Sequence, residues 1–362
     1  MTDPAAFRAQ FPVLQHKAYL NAGTEGPLPR RAAEAVRARI DAELTGGRCG
    51  MDYMTELREL ATQLRGAYAR VLGCDAADVA LTGSTTDGVN TVLAGLDLHP
   101  GDEIITSDEE HPGLLAPLGR LTRQAGVTVT VVPFAEIAAA VTPSTRLVAC
   151  SHVSWVSGRV LDTDALTATG VPFLLDAAQG VGAVPVDVHA LGCAFYAGSG
   201  QKWLCGPEGS GCLFVRRDQL DELTVPWPGY GSLADAKHAL DSPPAPDAAR
   251  LDHGFPPGMR SAWALASLSV LEEAGWEWVL SRAAGMAAEL ASQLEQRGLT
   301  VWPRDRSTLV AWEAADADAE VARLAQAGFV IRSIPSHGLL RASVGAWSSE
   351  DELAALAELA AA

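Results

Sequence analysis

Short apolar runs and segments with helical spacing alternate through the first two thirds of this chain, and no other feature of its 362 residues restricts the fold as strongly. Strand-like runs stand at 79–81, 103–106, 127–132, 147–151, 173–175 and 211–215. Apolar residues recur at helical spacing over 31–44 and 54–71, and further helical segments lie between most of the strands. Apolar strands separated by helices predict an α/β architecture, a largely parallel sheet covered on both faces. Residues 233–257 are rich in Pro, Ala and Asp without a clear period and read as a loop leading into a helix at 261–274. Strands near 309–312 and 340–344 follow, then a closing helix whose Ser348-Ser349-Glu350-Asp351 start reads as an N-cap with an acidic first turn. A chain this long exceeds the usual single core. The expected division is a large domain at 15–250 and a smaller α+β domain at 251–362 with 1–14.

Charge and composition narrow the function. A net charge of −17 opposes non-specific association with nucleic acid or anionic membranes. No stretch approaches the roughly 20 apolar residues of a membrane span. The amino terminus lacks a basic region followed by an apolar run, which argues against a secretory signal and for the cytoplasm. The six cysteines show no CxxC spacing; they read as small buried thiols in a reducing compartment, with no metal site expected.

Three separated segments carry residue types that a single anionic cofactor would need. Leu81 to Asn90 is a small-residue turn before a helical pattern, containing Thr85 and Thr86; it reads either as an anion site or as an ordinary N-cap. Asp176 ends an apolar strand, as a helix cap or as the partner of a buried cation. Lys202 lies between a Gly-Ser run and Gly206-Pro207, an awkward place for a solvated charge; desolvated, its amine would be able to form an imine with an aldehyde.

Taken in order, Thr85-Thr86, Glu110-His111, Asp176-x-x-Gln179 and Ser199-Gly-x-Lys202 resemble the class V aminotransferase superfamily, which includes cysteine desulfurases and cystine lyases, from about Phe11 to Leu353. The resemblance implies pyridoxal-phosphate (PLP) fold type I with a mostly parallel seven-stranded-type sheet, and a homodimer acting on a small amino acid. It implies that Lys202 holds PLP in a Schiff base and shuttles the Cα proton. Asp176 would pair with the pyridine nitrogen, His111 would stack on the ring and Gln179 would bond its phenolic oxygen. Thr85, Thr86, Ser199 and Gln201 would hold the phosphate, with Gln201 where many relatives have His. Relatives often add a polar pair from the partner subunit; here the matching stretch is Gly254-Phe-Pro-Pro-Gly258.

The likeness is strongest to the cystine lyase and carbon-sulfur lyase branch, in Tyr19 to Pro29, Glu110 to Gly113, Ser151 to Gly158 and the pair Arg332 and Arg341. It implies β-elimination from cystine or an S-substituted cysteine, a sulfoxide conjugate included, to a sulfur product, pyruvate and ammonia. Arg341 would grip the α-carboxylate, helped by the backbone at Asn21, Ala22 and Gly23; Trp155 would border the substrate, and Arg332 would hold a distal carboxylate or serve a structural ion pair. A persulfide-forming desulfurase is disfavoured because 331–343 contains no cysteine. An aminotransferase or epimerase is the alternative. Gly180-Val181-Gly182 hints at a nicotinamide site, but lacks the third glycine and the ribose-binding acid.

Overall fold

Parallel strands need crossovers, and the helical segments supply them. The structure is a computed structural model describing residues 2–252, 254 and 257–362. Among these residues one sheet has seven strands: β1 (Val79–Thr82), β2 (Glu103–Ser107), β3 (Thr128–Val132), β4 (Thr145–Ser151), β5 (Phe173–Asp176), β6 (Phe195–Ser199) and β7 (Gly211–Val215). Their order is β1-β7-β6-β5-β4-β2-β3. Only β7 runs against its neighbours, pairing antiparallel with β1 and β6. The carboxyl ends of β1, β4, β5 and β6 therefore point the same way, and the crevice beyond such ends is where open α/β sheets bind ligands.

Strand β6 was not legible in the sequence: all five of its residues are buried, and Phe195-Tyr-Ala-Gly-Ser199 shows neither alternation nor β-branching. Residues 233–257 contain short 3-10 turns at Ala236–His238 and Ala248–Leu251. This segment is pinned to the sheet edge by Asp252, whose carboxylate accepts from the Leu81 N–H at 2.8 Å and pairs with Arg65 at 2.6 Å. Of the stretch expected to face a partner's phosphate, Phe255 and Pro256 lie outside the described residues. Residues 178–183, with the Gly180-Val-Gly182 segment, form turns and open no helix, so the dinucleotide geometry is missing there.

Helix α1 (Arg30–Gly46) and helix α2 (Gly50–Leu72) pack against helix α5 (Gly258–Ala274). Between them in sequence, α3 (Thr85–Gly95) and α4 (Pro112–Ala125) follow β1 and β2. A second, antiparallel sheet of order β9-β10-β8 joins β8 (Leu309–Glu313), β9 (Arg332–Ile334) and β10 (Leu339–Ser343). Ala18–Tyr19 pairs in parallel with Phe329–Val330. Next to it the Ser343 N–H donates to Leu20 O at 2.7 Å, which carries the amino-terminal strand to the end of β10. The closing helix, Glu350–Ala360, has the expected Ser349 cap, completed by Glu352 as a capping box. Among the described residues no helix is long and apolar enough to cross a membrane.

Candidate active site

The strand ends meet the Asn21–Gly26 turn around a cavity of about 240 Å³. On its wall stand Thr85, Thr86, His111, Asp176, Gln179, Ser199, Gln201 and Lys202, with Gly23, Trp155 and Arg332. A larger hollow of about 550 Å³ opens between Val184, Val186 and Trp276 but gathers no comparable set of groups.

One end of the cavity suits an anion. Helix α3 begins at Thr85 behind the Ser84 N-cap, so the positive end of its dipole faces the cavity. The Thr85 and Ser199 hydroxyls and the Gln201 amide oxygen are buried without a hydrogen-bond partner among the described residues. Buried polar groups left open in this way mark a place for a ligand or water, and the two hydroxyls, as donors beside a helix start, fit a phosphate, which Gln201 can join only through its amide N–H groups. The Gly83 N–H is not part of this set, because it donates to Asp87 at 2.7 Å.

Along the cavity floor, Asp176 ends β5 with one carboxylate oxygen accepting from the Ala178 N–H at 3.0 Å. Its other oxygen makes no hydrogen bond among the described residues. Burial pushes its pKa up, against the pull of the Ala178 N–H and the Lys202 ammonium. A carboxylate held this way has most to gain from a cationic ring nitrogen. Lys202 is pushed down to about 8, chiefly by desolvation and further by Arg341 and Arg332, while Asp176 and Glu25 oppose the shift. Near neutral pH it thus offers a sizeable share of nucleophilic free amine.

His111 caps α4 by accepting from the Gly113 N–H at 3.0 Å through Nδ1, which leaves the proton on Nε2. Partial desolvation, then the positive charges of Lys202, Arg332 and Arg341, hold it down to about 4, so the ring is neutral. It stands at the mouth of the cavity, edge-on to Trp155 with centroids 5.0 Å apart. Gln179 donates to Gly23 O at 2.7 Å and accepts from the Trp203 indole at 3.0 Å, which leaves one amide N–H for a ligand.

The opposite end is cationic. Arg332 and Arg341 face each other in register across β9 and β10, and both guanidinium groups lie near the Trp155 ring, at 5.6 and 5.9 Å. Arg341 is fully buried and donates to Trp155 O at 2.5 Å, while its Nε and second Nη find no partner among the described residues. Burial, then Arg332, lowers its pKa, yet a guanidinium stays charged at neutral pH. A Cβ on Gly23 would lie 2.7 Å from Ser343 Oγ and 2.9 Å from the Arg341 Nη2, so the missing side chain leaves a polar niche open. The Ser343 hydroxyl is itself buried without a partner among the described residues. These donors suit a carboxylate, and Ser343 was not singled out from the sequence. Ala22 turns its methyl into the core, and Asn21 spends its side chain on Thr24 at 2.9 Å.

Two further carboxylates were quoted within motifs but given no role from the sequence. Glu110 is buried between β2 and β4, accepting from Ser107 Oγ, the Ser151 N–H and Ser151 Oγ at 2.5, 2.9 and 2.5 Å. It thereby fixes the loop that carries His111. Glu25 lies on the cavity wall, and only its place within the quoted Tyr19 to Pro29 segment pointed to it. No cysteine lines the cavity. Cys150, Cys193, Cys205 and Cys212 are buried, as expected, whereas Cys49 is exposed.

A family model described as aminotransferase class-V matches residues 19–356. Isopenicillin N epimerase of Streptomyces clavuligerus is 34% identical over 260 residues, 67% of this chain and 62% of the relative. A cysteine desulfurase of Escherichia coli K12, CsdA, is 32% identical over 251 residues, 64% of this chain and 62% of the relative. The match thus spans about three fifths of the length of these curated relatives. A solved complex of the cystine C-S lyase C-DES with cysteine persulfide superimposes with a TM-score of 0.92, at 29% identity, covering 97% of this chain and 99% of that one.

Proposed function

Because the chain belongs to the aminotransferase class-V family, we propose that it is a PLP-dependent carbon-sulfur lyase, acting as a homodimer on cystine or another S-substituted cysteine by β-elimination. The observation that supports this reading is a cavity wall that, among the described residues, carries Arg332 and no cysteine, with the buried Arg341 in register beside Arg332. A persulfide-forming desulfurase needs a thiol that reaches the substrate sulfur. The last cysteine in sequence, Cys212, is buried in β7, well before the 331–343 segment.

When bound, PLP supplies an electron sink for the charge left at Cα after proton loss. The chain's own residues do the rest. Arg341, with Ser343 at its side, binds the α-carboxylate as a two-donor fork and so orients Cα toward Lys202. The Lys202 amine takes the Cα proton. Asp176 would keep a proton on the pyridine nitrogen, His111 would stand against the ring and limit water entry, and the α3 start with Thr85, Thr86, Ser199 and Gln201 would hold the phosphate. The sulfur group then leaves Cβ and takes up a proton, and the 2-aminoacrylate released reacts with water in solution to give pyruvate and ammonia.

The similarity to isopenicillin N epimerase favours one second reading, epimerisation at Cα, which uses the same residues for proton removal and return. Purified enzyme given a panel of S-substituted cysteines, with pyruvate, sulfide, chiral inversion and amino-group transfer assayed side by side, separates the outcomes. Stoichiometric pyruvate with a sulfur product is expected; inversion or transfer without pyruvate refutes the lyase. For whichever amino acids are turned over, Arg341→Lys is expected to raise KM by about 10- to 100-fold, as loss of a charge-assisted contact worth about 1.5–3 kcal/mol implies.

A further inference from the structure

The Asn21–Gly26 turn is held by its backbone. The Thr24 and Glu25 N–H groups donate to Asn21 O at 2.9 and 3.2 Å, Tyr19 OH donates to Glu25 O at 3.0 Å, and the Gly26 N–H donates to Gln201 O at 2.7 Å. A Cβ on Gly26 would fall 2.0 Å from Lys202 O, so glycine is required for this close approach. None of these bonds uses the Glu25 side chain. Its carboxylate makes no hydrogen bond or ion pair among the described residues. It is half-buried on the cavity wall.

Such a placement is unfavourable for a carboxylate with no donor beside it. Desolvation and then the neighbouring Glu208 push Glu25 up to about 7, with only partial relief from Lys202. A structural carboxylate would have found a donor, as Glu110 and Asp252 do in this fold. Beside Glu25, Thr24 accepts from Arg332 Nη1 at 3.3 Å, and Arg332 Nε donates to Ser333 O at 3.1 Å, leaving further guanidinium N–H groups toward the cavity. Arg332 likewise has no ion pair among the described residues. An anion and a cation therefore border one small cavity without neutralising each other, next to the Arg341 niche that suits the α-carboxylate.

We propose that Glu25 and Arg332 together read a distal amino-acid head group, Glu25 taking its ammonium and Arg332 its carboxylate, so that the site selects substrates zwitterionic at both ends. The inference rests on the amino-acid reading of the site and narrows its substrate class from any S-substituted cysteine to those with a second amino-acid terminus. It assigns Glu25 a specificity role and no part in the bond-breaking step.

The test uses two sulfur-free ligands that cannot undergo carbon-sulfur cleavage. L,L-Diaminosuberate replaces the disulfide of cystine by two methylenes, and L-aminosuberate is the same chain without the distal amine. Their Kd values are measured by calorimetry on the PLP-loaded wild type, Glu25→Gln and Glu25→Asp, at about pH 8.5, where Glu25 is ionised. Wild type should prefer the diamine about tenfold, as one charge-assisted contact at a partly exposed site gives. Glu25→Gln should bring the ratio to about one, and Glu25→Asp, which keeps the charge, should retain part of it. An equal ratio in wild type and Glu25→Gln, or no preference in wild type, overturns the proposal. Because the readout is binding, a failed pyruvate assay with the preference intact would remove the lyase reading alone. Pyruvate formation without the preference would remove this inference alone.

Discussion

A Lys202→Ala enzyme is expected to lose at least about 10⁴-fold in turnover, because one substitution removes both the amine that fixes the cofactor and the base that takes the Cα proton. The visible absorbance of the lysine-bound cofactor should vanish with it, and borohydride should no longer fix PLP to the chain. A reducible adduct on another lysine would overturn the assignment. The wild-type apo-protein gives a second readout. With the Lys202 pKa held down to about 8 instead of the ordinary 10.5, cofactor capture should accelerate as pH rises through 8 and then level off. The sign follows from the chemistry: only the deprotonated amine attacks the aldehyde, and lowering its pKa moves that form to lower pH.

Asp176→Asn should keep the shape of the site and lose roughly 10²–10⁴-fold in kcat, in line with the roughly 3–5 kcal/mol cost of removing one partner from a buried charge pair. The amide still accepts from the Ala178 N–H, so the strand end has no reason to rearrange. It carries no charge to keep the ring nitrogen protonated. Cofactor should therefore remain bound while turnover collapses. Near wild-type turnover would reduce Asp176 to a cap of the 177–180 turn.

Much of the main sheet was legible because its strands are apolar runs separated by helices, and β1, β5 and β7 start or end within a residue of the positions read from sequence. Strand β6 was not, since burial on both faces erases the alternation that would reveal it. Of the two readings of Asp176, the cap is on the Ala178 N–H of a turn and not of a helix, and its other oxygen makes no hydrogen bond among the described residues, which leaves it open to a cationic partner. Thr85 and Lys202 could be named because a helix start and a Gly-Ser turn are local features, whereas Ser199 was named only through the family resemblance. Glu25 and Ser343 could not, because each reaches the cavity through tertiary backbone bonds, Gly26 to Gln201 and Ser343 to Leu20, that leave no periodic trace. The like-charged register of Arg332 and Arg341 also depends on strand pairing that spacing alone does not specify.

The turn carrying Glu25 is fastened by main-chain atoms on both sides, to the end of β10 through Leu20 and to the Lys202 loop through Gly26. Its architecture is consequently indifferent to which side chain occupies position 25. That residue works as an exchangeable fitting on a fixed mount: a neutral, apolar or basic replacement would retune what the cavity accepts while the α-carboxylate niche and the catalytic lysine stay where they are. New substrate preferences become reachable here by single substitutions that leave the scaffold intact, and a mutational scan of position 25 would map how far one cavity can be diversified.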